Sequence, residues 1–483
     1  MKKHISYISA LALVAGLCLT GCTSSFEEIN TDPDAYTAVP VNNRLTWVIR
    51  TIGEELGSDL EGPSTYGGQI VKIQYLDYYS FSNSTYARRW GYHYTVNANL
   101  QDLLDATEES AEGNKNGRWI ARILMDWVWQ DGTDTWRDMP YTGALKGSEA
   151  KGGILTSAYD KQEDIYPAVM ADLKAVADEM AAGFGSDDVS TGDQIYQGDM
   201  EKWQKFCNSL RLRMAMRISA VSADLAKSTI EEICGNPSKY PILETSAENC
   251  YLYWPGSSPY YERWFDNSRT RDDHGLSDIF VDHLKAMNDP RLDVIAHPAE
   301  KDGEYRGFQN GPANQPTEMT TISRIGWLYR DNPSGFTPFL RSCENYYILA
   351  EAALMGWNVG ISAQEAYEKA VRLSMEDNGL SAEDAEAYLD GKGKWDGTKD
   401  RIYWDMWVAL FKESTEVWSL YRRTGIPTTN YPAIESVWKG IHDEQPYRMP
   451  YPENQEIYNA ENLAPYAANI VDYAWGQKMW WAK

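Results

Sequence analysis

Histidine and cysteine are scarce in this sequence, with six residues of each among 483. Neither type occurs at a spacing typical of metal ligands, and the chain has no HExxH motif, no GxSxG motif and no phosphate-binding glycine loop. The 70 acidic residues leave a glycosidase carboxylate pair open, although so many acids also produce pairs by chance. We therefore predict that the protein is not an enzyme and that it has no cofactor and no metal site.

Basic residues are few relative to acidic ones. The sequence has 45 Lys and Arg against 70 Asp and Glu, which gives a formal net charge of −25. Nucleic-acid binding needs a basic surface that neutralises phosphates, so this balance argues against a nucleic-acid partner. No apolar run after the N-terminal one approaches the roughly 20 residues that span a bilayer. A chain of this length can still bury a large hydrophobic core.

Disulfide bonds are not needed for stability in a chain with so large a core. The cysteines beyond the N-terminal region are Cys207, Cys234, Cys250 and Cys343, at spacings that match no metal site. Cys207 and Cys343 fall within helical patterns, and we predict that they are small buried apolar residues. A disulfide between Cys234 and Cys250 is left open, because it would form only in an oxidising compartment.

The start of the chain has the order of a bacterial lipoprotein signal. Two lysines precede an apolar run over residues 5–18, which is too short to cross a bilayer. Residues 19–22, with the sequence LTGC, resemble a lipobox. This order predicts a signal peptide over residues 1–21, a lipid on Cys22 and a tether over residues 22–40. The alternative is an ordinary secreted protein without the lipid.

The aromatic residues favour rings that carry a polar group, with 32 Tyr and 19 Trp against 10 Phe. Such rings suit places where one side packs on protein and the other meets water or a polar ligand. Sugars have this dual character, because their apolar C–H faces lie on rings and their hydroxyl groups need hydrogen bonds. For any single ring, however, packing between helices is the simpler interpretation.

Apolar spacing predicts helices along most of the chain. Residues 154–180 and 203–218 both place apolar side chains at the intervals of an amphipathic helix. In the second of these helices we expect Arg211, Arg213 and Arg217 to lie on the surface.

Two further helical patterns, residues 343–357 and 362–375, have small residues where the helices would approach, which is typical of a tetratricopeptide-type hairpin. Ser362 with Glu365 predicts a capping box at the start of the second helix. We therefore predict an all-α fold of tetratricopeptide-like helical hairpins with a large irregular, loop-rich insertion. The predicted parts of this domain are an N-terminal helical part, the irregular aromatic-rich segment and the C-terminal hairpins, at residues 41–235, 236–340 and 341–483.

Several sequence blocks resemble those of one family. The blocks are WRDMPY (136–141), AYDKQ (158–162), GDQIY (192–196), NSLRLR (208–213), NDPR (288–291), LAEAA (349–353), YRRTG (421–425) and RMPYP (448–452). In this order they resemble the SusD/RagB family of nutrient-binding outer-membrane lipoproteins, and more closely its SusD-like branch. One departure is Arg137, at a position where the family usually has glycine.

The resemblance implies a lipoprotein anchored in the outer membrane through Cys22 and exposed at the cell surface. It further implies binding of oligosaccharide nutrients, or sometimes peptides, and their delivery to a TonB-dependent SusC-like transporter. A surface glycoside hydrolase and a peptide-binding or adhesin lipoprotein are the alternatives. Charged residues in the shared blocks, such as Asp160, Arg422 and Arg423, are interpreted as structural. Ligand contacts are therefore expected on loops outside the blocks.

Two segments outside these blocks, residues 75–86 and 253–264, combine rings with amides and charged groups. We predict that they share one ligand-binding surface. The predicted contacts are Tyr78, Tyr79, Tyr86, Trp254, Tyr260, Tyr261, Trp264, Asn267, Arg269 and Asp272. Trp327 and Tyr329 are weaker candidates, because residues 325–329 alternate like a buried strand.

Overall fold

The described chain is mostly α-helical with a few short strands, which confirms the predicted fold class. The computed structural model describes residues 39–57, 59–60, 62–73, 83–271, 273–309, 318–430, 444–467 and 477–482. The predicted lipidation site Cys22 and the predicted ligand contacts Tyr78, Tyr79 and Asp272 lie outside these residues. Within the described ranges, no helix has both the length and the apolar character needed to cross a bilayer.

The described residues between 41 and 235 lie mainly in helices. They are α1 (Val41–Glu55), α2 (Pro63–Tyr66), α3 (Asn83–Ala106), α4 (Lys115–Trp136), α5 (Gln162–Ala181), α6 (Met200–Arg217) and α7 (Ala223–Gly235). From α3 to α7, each helix packs against the next one in the chain, as expected for helical hairpins. The predicted apolar face of α5 is buried, with Val169, Leu173 and Val176 fully enclosed.

The arginines of α6 are buried, which corrects the prediction that they lie on the surface. Arg211, Arg213 and Arg217 are 1%, 2% and 6% exposed, because α6 packs against helices on several sides. Each guanidinium is neutralised by a carboxylate. The ion pairs are Arg211–Glu232, Arg213–Glu344 and Arg217–Asp134, with N–O distances of 2.6, 2.5 and 2.6 Å. Charge in the sequence therefore did not mark the solvent face of this helix.

Short strands interrupt the helices, mainly between residues 236 and 340. They are β1 (Ile70–Lys72), β2 (Cys250–Tyr253), β3 (His274–Leu276), β4 (Ala296–His297), β5 (Arg324–Ile325) and β6 (Phe336–Leu340). They form the antiparallel pairs β1–β3, β2–β6 and β4–β5. The helices in this segment are α8 (Arg263–Thr270), α9 (Asp278–Ala286) and α10 (Leu292–Ile295).

After β6 the chain returns to helices. They are α11 (Ser342–Leu354), α12 (Ala363–Asp377), α13 (Ala382–Asp390), α14 (Lys399–Ala409), α15 (Ser414–Thr424), α16 (Glu453–Tyr458) and α17 (Ala460–Ala467). The predicted hairpin is formed by α11 and α12, and Ala350, Ala366 and Ala370 are fully buried in it. Ser362 and Glu365 form the predicted capping box of α12.

One hydrophobic core extends through both helical parts and the middle segment. Cys207 and Cys343 are buried in it, as predicted. Cys234 and Cys250 are also free thiols, so the disulfide left open between them is not formed. The irregular segment is therefore attached to the rest of the domain by packing and strand pairing.

Candidate functional site

The first predicted segment has one described contact, Tyr86, and its ring faces the protein. Tyr86 lies near the start of α3 with 8% of its surface exposed. Burial raises the pKa of Tyr86, and the carboxylates of Glu453 and Glu456 raise it further. Both acids belong to α16, so the ring lies close to that helix. Tyr86 therefore offers a ligand little accessible surface.

Trp254 and Trp264, predicted as exposed platforms for a ligand, belong to the hydrophobic core. Trp254 is 4% exposed and Trp264 is 0% exposed. The Nε1–H of Trp254 donates to Oγ1 of Thr337 at 3.0 Å, and the ring of Trp264 meets Phe411 edge-on at 5.7 Å. The prediction that these two rings are exposed was wrong, because pairing of β2 with β6 draws the irregular segment onto the core.

The remaining described contacts lie at the surface around α8. Tyr260 is 40% exposed, and the guanidinium of Arg50 lies 4.6 Å from its ring centroid. Arg269 is exposed on α8, and its guanidinium lies 4.5 Å from the centroid of half-buried Tyr261. Asn267 is half-buried on the same helix. An aromatic ring and a guanidinium thus meet at α8, and an amide side chain lies on the same helix.

Two strongly exposed rings of the middle segment were missing from the predicted contacts. Tyr253 is 62% exposed and Trp327 is 56% exposed, whereas Tyr329 is 1% exposed. Trp327 begins a single π-helical turn, Trp327–Asp331, which packs against α8. Gly326 allows the turn to form, since a Cβ there would lie 2.1 Å from a carbonyl oxygen of α10. The polar residues and proline that follow Tyr329 were the sequence signal that the strand pattern ends.

The segments that carry three exposed rings of this region are attached to one turn, residues 332–335, and we call Tyr253, Tyr260 and Trp327 the aromatic rim. Trp327 is joined to this turn through the chain itself. The segment that carries the two tyrosines is joined to it by backbone hydrogen bonds of 2.9 and 3.0 Å. The rim is therefore part of a hydrogen-bonded framework, although its members come from distant positions in the sequence.

The carboxylates beside the rim are held in ion pairs. Burial alone would raise the pKa of Asp331, but hydrogen bonds from His297 and Arg330 outweigh it and lower the pKa. Asp266 pairs with Arg269 at 2.9 Å. Among the described residues, no group of three or more His, Cys, Asp or Glu is placed to hold a metal ion. Exposed rings beside amide and charged groups suit a ligand with both apolar faces and hydroxyl groups.

A family model described as "Starch-binding associating with outer membrane" matches residues 59–452 of the chain, well over half of its length. The chain belongs to the SusD-like family. Charged residues of its sequence blocks have partners within the protein, since Asp160 accepts a hydrogen bond from the N–H of Tyr141 and Arg423 pairs with Glu351. Arg137, where the family usually has glycine, has a φ of 72°, in the left-handed region that favours glycine.

Solved structures with the same fold cover most of this SusD-like chain. A chitin-binding protein is 24% identical with a TM-score of 0.78, over 92% of this chain and 99% of that protein. A chitin-binding SusD homologue from Flavobacterium johnsoniae is 23% identical with a TM-score of 0.77, over 92% and 97% of the two chains. A SusD-like protein from Bacteroides thetaiotaomicron is 22% identical with a TM-score of 0.74, over 92% and 99%. None of the curated proteins matches. At these identities the likeness concerns the fold.

Proposed function

We propose that this protein binds oligosaccharides at the aromatic rim and presents them to a TonB-dependent SusC-like transporter. The observation that carries the proposal is the strong exposure of Tyr253 and of Trp327, whose π-helical turn packs against α8. Exposed apolar groups that lie close together often mark a ligand-binding or partner-binding site. A sugar ring would cover them with its C–H face and would use Asn267 and Arg269 for its hydroxyl groups.

The comparisons support the same class of ligand. The family description names starch, and two of the similar structures are described as chitin-binding. Both polymers consist of linked pyranose rings, for which flat aromatic surfaces and a few oriented polar groups are suitable partners. Maltooligosaccharides and chitooligosaccharides are therefore the first ligands to test.

Titration calorimetry of purified protein with both series of oligosaccharides tests the proposal. Stacking of a nucleobase on an aromatic side chain, an analogous ring-on-ligand contact, is worth about 1–3 kcal/mol. Trp327→Ala should therefore weaken binding of the ligand by roughly tenfold or more. Phe184→Ala removes a ring that is 41% exposed outside the rim, and this control should bind like wild type. Equal affinities of Trp327→Ala and wild type would place the ligand elsewhere.

We further propose that the protein binds its ligand without cleaving it. Chromatography of oligosaccharides after long incubation with the protein should recover them intact, and release of shorter products would instead favour the glycoside hydrolase. A peptide ligand would be indicated if peptides, and neither oligosaccharide series, bind at the rim.

Outer-membrane fractions should yield a β-barrel transporter that co-purifies with the protein, and its repeated absence would count against delivery to a SusC-like partner.

The proposed location is the cell surface, with a lipid on Cys22 as the anchor. Two or three acyl chains hold a protein on a membrane far more durably than one chain does. External protease treatment of intact cells should therefore digest the protein, and full protection would contradict surface exposure.

A further inference from the structure

Lys412, in the connection between α14 and α15, is buried in an unfavourable backbone conformation. Only 1% of the surface of Lys412 is exposed, although lysine is rarely buried without a partner. Its φ is 80°, in the left-handed region that side chains other than glycine avoid. Two unfavourable features at one residue persist only where the surrounding contacts compensate for them.

The contacts of the Lys412 ammonium all lie in the segments that form the rim. Its Nζ is 2.9 Å from Oε1 of Glu262 and donates to the carbonyl oxygen of Tyr329 at 2.9 Å. It also lies 4.9 Å from the ring of Trp264 and 5.2 Å from the ring of Phe336. One cation thus contacts the residue that precedes α8, α8 itself, the π-helical turn and the first residue of β6.

Glu262 extends this arrangement to the turn at residues 332–335. Its Oε2 accepts a hydrogen bond from the N–H of Phe265 at 2.9 Å and so caps α8. Its own N–H donates to the carbonyl oxygen of Pro333 at 2.9 Å. The Lys412–Glu262 pair is 0% exposed on both side chains, so water does not weaken it. Burial lowers the pKa of Lys412, and Glu262 opposes this.

We propose that Lys412 is a positioning residue for ligand binding: through Glu262 and the Tyr329 carbonyl it fixes α8 relative to the π-helical turn that displays Trp327. This inference rests on the proposed function, because it assigns the geometry of the same site. Lys412 itself is too deeply buried to touch a ligand. By holding α8 in place, Lys412 keeps Asn267 and Arg269 at a constant position relative to the Trp327 ring. A ligand that bridges the helix and the ring needs this fixed geometry.

Hydrogen exchange of Lys412→Met and Glu262→Gln tests the inference without a ligand. The first variant removes the cation, and the second removes the opposing charge but keeps a side-chain oxygen that can cap α8. The control is Arg423→Met, which breaks a buried ion pair of 2.8 Å with Glu351, away from the rim. We expect exchange over residues 263–270 and 327–335 to accelerate at least about tenfold in the first two variants, and in the control only elsewhere.

Oligosaccharide affinity supplies the second measurement. It should fall at least about tenfold in Lys412→Met and Glu262→Gln, and it should stay near the wild-type value in Arg423→Met. Should Lys412→Met fail to fold, Glu262→Gln decides the question by the same two measurements. The proposal would be overturned if Lys412→Met and Glu262→Gln matched the Arg423→Met control both in hydrogen exchange at the rim and in oligosaccharide affinity.

Lys412→Gly separates the effect of the ammonium from that of the backbone conformation, because glycine removes the side chain and accepts the left-handed conformation. We expect this variant to loosen the rim as Lys412→Met does, and wild-type exchange at the rim would overturn the proposal. A wild-type protein that binds no oligosaccharide would contradict the proposed function. The exchange data would still decide whether Lys412 fixes the rim.

Discussion

Replacement of Arg213 by methionine should strongly destabilise the protein, because this guanidinium neutralises buried carboxylates. Arg213 lies 2.5 Å from Glu344, 3.2 Å from Glu413 and 3.5 Å from Glu416. It also donates to the carbonyl oxygen of Phe339 at 3.1 Å, which ties α6 to β6. Methionine retains part of the aliphatic stem, so the loss of packing is small compared with the loss of charge.

The magnitude follows from the burial of the partners. Glu344 is 2% exposed, so removal of Arg213 leaves its negative charge in a site that water does not reach. Burial raises the pKa of the neighbouring Glu413 to about 8, so the orphaned charge is chiefly that of Glu344. Breaking a buried ion pair by removal of one partner destabilises a protein by about 3–5 kcal/mol. Total stabilities of about 5–15 kcal/mol are usual, so this one substitution should remove a large share.

Urea unfolding followed by tryptophan fluorescence measures the effect. We expect a lower midpoint at an unchanged slope. The double variant Arg213→Met/Glu344→Gln should lose less than the sum of the single losses, because it removes the attraction and the orphaned charge together. Arg372→Met, which breaks the exposed 2.5 Å pair with Glu386, should cost no more than about 1 kcal/mol. A loss that small for Arg213→Met would refute the reasoning.

Three further outcomes are expected. Gly326→Ala should lower both the melting temperature and oligosaccharide affinity, because its Cβ would lie 2.1 Å from the carbonyl oxygen of Val294; wild-type values would contradict this. Burial alone would raise the pKa of Asp131, but Arg89 lowers it to about 2, so stability should fall by about 2–3 kcal/mol as the pH drops from about 5 to 1. In Asp131→Asn that part of the acid dependence should vanish, and an unchanged acid profile would exclude this role. Cys22→Ala should move the protein from membranes to the soluble fraction, and unchanged retention would end the lipoprotein interpretation.

Part of the candidate site was predictable from the sequence. Breaker-rich sequence with rings and amides pointed to the segment around α8, where the structure exposes Tyr260 and Arg269. The same pattern gave no information on which ring points outward. Trp264 is enclosed because its neighbours in space, Phe411 and Lys412, come from the distant α14–α15 connection. Trp327 is exposed because a close backbone approach at Gly326 ends the strand.

The sequence by itself determined the helical class, the α11–α12 hairpin, its capping box and the family. These features depend on interactions between residues a few positions apart, such as apolar spacing and the reciprocal contacts of Ser362 and Glu365. Only the tertiary structure decided that the arginines of α6 are internal and which aromatic rings form the rim. Burial of a side chain is a property of everything packed around it, and in this protein those neighbours are often more than a hundred residues away, as for Arg213 and Glu344.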